Sequence, residues 1–178
     1  MMKAHILCYL VNIFILTSGV TNHNYYWRDY WGRITPDAIS FDGIYIAQAP
    51  EHGLLPGSLD TERNEITTEV FGRKIILRRG IKVLCDQNIE SFHWDKISTN
   101  QLVKEYLEDA VVGGIESDSL LYIGRIFHEG VFKIGKVFPP SSPFSGFRGW
   151  YNFNDTQYKT DDFEILKYKS LPSPSKCQ

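Results

Sequence analysis

Apolar and polar positions along this 178-residue chain alternate in short bursts, and no stretch sustains a dominant helical period. "GIYIAQA" (43–49) and "LLYIGRIF" (120–127) are compact apolar runs. "EITTEVF" (65–71) and "FRGWYNF" (147–153) alternate with the period of two that a half-buried strand requires. "KIILRR" (74–79), "GIKVLC" (80–85) and "DFEILKYK" (162–169) follow turn signals and complete a set of predicted strands. "EHGLLPG" (51–57) reads as Gly and Pro punctuation between strands. Helix signals are weak: "STNQLVKEYLEDAV" (98–111) opens on Ser and Thr and holds good helix formers, which predicts one short connecting helix or turn. The pattern as a whole predicts an all-β protein.

The strands come in two sets. Tyr45 and Tyr122 stand 77 positions apart, as do Gly53 and Gly130. The offset is 78 between Gly57 and Gly135, 72 between Asp37 and Asp109, and 82 between Phe71 and Phe153 and between Ile81 and Phe163. The second copy therefore carries extra residues before its Tyr-Ile strand and again later. Each copy has an aromatic lead, "YYWRDYWGRI" (25–34) and "SFHWDKI" (91–97). A period of about 80 is too long for a solenoid unit and indicates a duplicated β module. The copies are placed at 25–88 and 89–169, followed by a flexible Pro/Ser-rich tail at 170–178.

Composition narrows the function classes. Hydrophobic residues make up 43% of the chain, enough for a core, and aromatics 14%, which favours strands. A formal net charge of −2 gives no global attraction to nucleic acid or anionic lipid. The N-terminus "MMKAHILCYLVNIFILTSG" has a Lys, an apolar run from Ala4 to Leu16, and small residues at Thr17 and Gly19. That run is short for a bilayer span and suits a signal peptide over 1–19, cleaved before Val20; an uncleaved anchor is the alternative. The expectation is a secreted chain with no membrane span after cleavage. Cleavage removes Cys8 and leaves Cys85 and Cys177, which either pair as a disulfide or stay free.

The ordered motifs resemble the DM-nine repeat family, whose members usually carry the repeat in tandem. The second copy reads "AVVGGIESD", "LYIGRIFHEG", "IGKVFPP" and "DFEIL"; the first reads "AISFDG", "IYIAQAPEHG", "LPGSL" and "GIKVL". The resemblance covers about residues 25–169. It implies two intertwined tandem repeats of antiparallel sheet forming one compact domain. It also implies a lectin-like function: some members bind mannose, agglutinate microbes and act in innate immunity. In such a lectin an Asp of the Gly-x-Asp segment and the Lys of Pro-Gly-Lys hold the sugar. These positions fall on Glu116 and Lys136 in the second copy; in the first, Asp42 is the nearest acid and Ser58 replaces the lysine. The family's Gly-Lys-Glu-His turn is missing from both copies, which read "GRKII" (72–76) and "NDTQY" (154–158). A homodimer is a further expectation from the resemblance.

The residue chemistry suits a sugar. Carboxylates at Glu116 and Asp118 accept from vicinal hydroxyls, the Lys136 ammonium donates, and such charge-assisted bonds are about twice as strong as neutral ones. Trp150, Tyr151 and Tyr122 could offer a face to the sugar's C–H side. The same charged residues also read as solvated turn polarity, and the tryptophans as core. His52 and His128 read as surface turn histidines, without the companions a metal site needs. Asn154-Asp155-Thr156 is a glycosylation sequon at an expected turn. No nucleophile elbow, phosphate loop or zinc-protease motif occurs, so no cofactor, metal or catalysis is expected. Two functions remain: a secreted, non-catalytic protein binding mannose-type glycans of microbial or host surfaces, or a secreted structural or protein-interaction module that has lost sugar binding.

Overall fold

The computed structural model describes residues 24–152 and 154–169. The fold is all-β, and every strand pairing is antiparallel. The first copy comprises β1 (Tyr26–Asp29), β2 (Ser40–Phe41), β3 (Ile44–Pro50), β4 (Gly53–Asp60), β5 (Glu65–Val70), β6 (Arg73–Leu77) and β7 (Lys82–Cys85). The second comprises β8 (Phe92–Ser98), β9 (Val112–Glu116), β10 (Ser119–His128), β11 (Val131–Phe138), β12 (Gly146–Trp150), β13 (Gln157–Thr160) and β14 (Asp162–Tyr168).

The two copies share one pattern of pairing. Strands β2 to β6 run as a meander, and β7 returns to pair with β3 and with the lead strand β1. Strands β9 to β13 run as the same meander, and β14 returns to pair with β10 and the lead strand β8. The aromatic leads are thus the strands that close each copy. Their rings enter the core: Phe92 and Tyr168 meet edge to face at 5.0 Å, and Tyr25 packs on both.

One expectation changes and one is decided. Residues 53–57, read as punctuation, belong to β4 with Pro56 inside the strand. Pro56 faces Gln48 of β3, while pairing with β5 begins only at Ser58 and pairing with β9 involves Gly53 and Leu54. Only β3 therefore runs in register beside the proline, a local edge where a missing N–H is tolerated. The Pro56 carbonyl is satisfied by the Thr68 hydroxyl at 2.7 Å. The 98–111 segment takes the turn alternative, and takes it twice, as the single 3-10 turns Thr99–Gln101 and Glu105–Leu107. Its backbone N–H groups bond three residues back, Leu102 to Thr99, Leu107 to Lys104 and Ala110 to Leu107, and Val111 N–H leaves the segment for the Leu166 carbonyl.

The copies interlock. One core cluster takes Ile39, Ile46 and Leu84 from the first copy and Val111, Ile123, Ile134 and Leu166 from the second. Full burial of each such side chain contributes roughly 1.5–3 kcal/mol. The sheet itself crosses from copy to copy where β4 meets β9, with Gly53 opposite Glu116 and Leu54 opposite Ile115. Here the backbones nearly touch. A Cβ on Gly114 would lie 1.9 Å from the Leu54 carbonyl oxygen, and one on Gly53 would lie 2.1 Å from that of Ile115. Glycine is required at both positions for this approach. Gly114→Ala should therefore destabilise the protein by about 1–3 kcal/mol or more, as overpacking against rigid backbone does. Chemical denaturation checks this; an unchanged midpoint would contradict the junction.

Candidate functional site

The β4–β9 junction places Glu116, the last residue of β9, against the middle of β11. There Lys136 lies between Ile123 of β10 and Arg148 of β12. Its ammonium donates to Glu116 Oε2, and lies 3.1 Å from Oε2 of Glu69, a first-copy residue on β5. The side chains of Lys136 and Glu69 are each 1% exposed and that of Glu116 is 5% exposed. Lys136 and Glu116 are thus buried, not solvated turn residues. Two carboxylates from two copies share one buried ammonium.

Glu69 is fixed from behind. Its Oε1 accepts from the Gly72 backbone N–H at 2.6 Å and from the Gln157 amide at 2.7 Å. The β5–β6 turn that carries Gly72 is strained: Phe71 has φ 49° and Gly72 has φ 84°. A positive φ is uncommon for a bulky residue and persists only where its surroundings hold it. The Gln157 backbone N–H also donates to the Gly72 carbonyl at 2.9 Å, so second-copy β13 clamps the first-copy turn. The turn leaves Phe71 67% exposed, with its ring 5.0 Å from that of His52.

Around the shared ammonium is a cavity of about 260 Å³. Phe71, Phe138, Phe144 and Arg148 contribute to its walls, with Lys159 and Gln157. Phe144 is 52% exposed. Burial lowers the Arg148 pKa from its ordinary value, opposed by the attraction of Glu69 and Asp161.

Other predicted residues lie elsewhere. Asp118 is exposed in the β9–β10 turn, beside Lys104 and Pro139. Asp42 pairs at 3.0 Å with Arg125, which also binds Glu164 at 2.5 Å and sits between the rings of Trp94 and Phe132. A larger trough of about 570 Å³ passes this arginine, whose charge is already matched by two carboxylates. Trp150 is 3% exposed, so it is core and offers no face; Phe71 and Phe144 are the aromatic surfaces instead. His128 is half-buried against Tyr151 and Tyr158, contrary to a surface reading, and its Nδ1 lies 3.3 Å from the buried Lys133. Lys133 also donates to Glu129 and, at 2.9 Å, to the Trp150 carbonyl. Asn154 is exposed and its Oδ1 accepts from the Thr156 hydroxyl at 2.7 Å. Cys85 is buried and forms no disulfide among the described residues; Cys177, with which it either pairs or not, and the 1–19 leader lie outside them, as does the tail at 170–178. Among the described residues no group of three His, Cys, Asp or Glu could hold a metal ion. None of the helices described is long and apolar enough to cross a membrane.

Sequence reasoning missed Glu69, Arg148 and Lys159. Glu69 occupies an ordinary polar position of an alternating strand, and only the packing of β5 against β11 brings it to Lys136. Arg148 and Lys159 become visible once the strand register is known.

The shared ammonium makes a stability prediction. Removing one member of a buried ionic group leaves its partners uncompensated, at a cost of about 3–5 kcal/mol. Lys136→Met should lose stability on that scale. Adding Glu69→Gln and Glu116→Gln to it should recover part of the loss, because the unpaired charges are gone. Urea denaturation of the single and triple variants measures both; an additive loss would contradict the coupling.

The DM9 repeat family matches residues 38–146, a segment that includes Glu69, Glu116 and Lys136 and ends just before Arg148. A comparison with curated proteins finds no match. With the repeat family spanning more than half of the chain and the sheet built twice on one pattern, this protein belongs to the DM9 repeat family.

Proposed function

We propose that the protein is a secreted, non-catalytic carbohydrate-binding protein whose site is the cavity at Lys136. The observation that carries this reading is the Glu69–Lys136–Glu116 group lining a cavity with Phe71 and Phe144 at its walls. A sugar offers hydroxyls that need both donors and acceptors, and apolar C–H faces that suit an aromatic ring. The cavity supplies each. Its volume is below the roughly 300–1,000 Å³ of drug-sized pockets, so it suits one sugar unit.

The carboxylates support binding over catalysis. Both are engaged as acceptors by the same ammonium, and Glu69 also by the Gly72 N–H and the Gln157 amide, an arrangement that holds carboxylates in place. A single-unit site gives weak affinity, and attachment to a microbial or host glycan surface would draw on multivalency, through a homodimer for example.

Binding of purified protein to immobilised glycans, mannose-type ones included, tests the reading. Saturable binding is expected for the native chain. Glu116→Gln should weaken it at least about tenfold, the scale of one charge-assisted bond. Phe144→Ala removes an exposed ring and should weaken it severalfold with no loss of fold. Binding that survives both changes would move the site elsewhere. No saturable binding to any glycan would favour the alternative, a protein-interaction module.

A further inference from the structure

Three basic residues stand in a row across adjacent strands of the second copy. Lys136 of β11 is directly opposite Arg148 of β12, and Arg148 is directly opposite Lys159 of β13. Residues opposite one another in an antiparallel ladder project from the same face, and all three line the 260 Å³ cavity. Like charges in such positions repel and destabilise the sheet.

Only the first of the three is neutralised. Lys136 has Glu69 and Glu116. Neither Arg148 nor Lys159 has a carboxylate of the described residues within ion-pair distance. Arg148 donates from Nη1 to the neighbouring Phe147 carbonyl at 2.8 Å, which uses one of the five N–H donors of its guanidinium. Asp161 and Glu69 attract it only from a greater distance. The Gln157 amide is committed to Glu69.

The first copy shows that the fold does not require this row. Its register places Ser58 opposite Thr67 and Thr67 opposite Ile76. Since Ile46–Ser58 and Ile123–Lys136 are matching pairs of the duplicated meander, Ser58, Thr67 and Ile76 stand where Lys136, Arg148 and Lys159 stand. The same backbone is thus built once with no cation at these places and once with three. The second arrangement carries an electrostatic cost that no ion pair of the described residues offsets at Arg148 or Lys159, Glu69 and Asp161 acting on Arg148 only from a distance.

We infer that the ligand of this cavity is an acidic sugar: a single pyranose unit bearing a carboxylate, sulfate or phosphate, whose anion seats on Arg148 and Lys159 while its ring hydroxyls meet Lys136 and Glu116. This rests on the carbohydrate-binding reading and narrows it to a substrate class. A guanidinium is suited to the task because its planar fork matches two oxygens of a carboxylate or phosphate. Glu69 and Glu116 act against indiscriminate anion binding: they hold the inner end of the cavity negative, so an anion is accepted at the Arg148–Lys159 end and a hydroxyl at the other.

Matched pairs of sugars test the inference by calorimetric titration: glucose with glucuronate, galactose with galactose 6-sulfate, and mannose with mannose 6-phosphate. At least one acidic member should bind about tenfold or more tightly than its neutral partner, and the three acids identify which anion fits best. The preference should shrink as salt is raised from low to physiological ionic strength. Lys159→Gln, at an exposed position, and Arg148→Gln should each lower affinity for the acidic member by a larger factor than affinity for its neutral partner, and so shrink the preference. Equal affinity for acidic and neutral members would overturn the inference and leave the carbohydrate reading standing. Absence of binding by every sugar would overturn both. Inorganic sulfate or phosphate binding as tightly as the acidic sugars would also overturn it, by showing a simple anion site.

Discussion

The Lys136 ammonium is buried with Glu69 on one side and Glu116 on the other, and the arrangement of the two copies depends on it. Taking an ion out of water costs several kcal/mol, and a buried ionic group is tolerated only when every member is held in good geometry. That requirement fixes three elements against one another: the end of β9, the end of β5 and the middle of β11. It explains the strained Phe71–Gly72 turn, whose backbone N–H anchors Glu69. It also gives meaning to Gly53 and Gly114, whose missing side chains let β4 and β9 approach closely enough to bring Glu116 inward.

Duplication supplies the frame and divergence supplies the chemistry. Both copies run the same meander, close it with the same return strand and seal it with an aromatic lead. The equivalent place in the first copy holds Ser58, whose hydroxyl accepts from the Ile134 backbone N–H at 3.0 Å. The first copy has a structural bond to the other copy where the second has a buried cation. The second copy keeps the cation, and takes an acid from the first to hold it. The site therefore belongs to the pair of copies, and neither forms it alone.

Much of this was legible in the chain. The apolar runs and alternating segments gave the strands, although β5 and β12 are buried at nearly every position and the polar residues Glu65, Thr68 and Glu69 are held there by ion pairs and a hydrogen bond. The offsets between copies located Lys136 against Ser58 before any register was known. Pro56 concealed β4, because the proline sits where the strand is locally an edge. Glu69 was hidden because it lies 67 positions before Lys136 and its strand looks like any half-exposed strand. Trp150 allowed two readings for a physical reason: large aromatic residues are suited to both core and platform, and its burial decides for the core. Asp42 was the nearest acid in sequence, yet its turn faces Arg125 and not the cavity.

The central claim is that the cavity built by Glu69, Glu116 and Lys136 from both copies receives the ligand. A crystal structure of the protein soaked with the tightest-binding sugar tests it most directly. The account predicts one sugar unit between Phe71 and Phe144, with hydroxyl oxygens about 3 Å from the Lys136 ammonium or the Glu116 carboxylate. A sugar seated instead in the trough beside Arg125, with the Lys136 cavity holding only water, would contradict it.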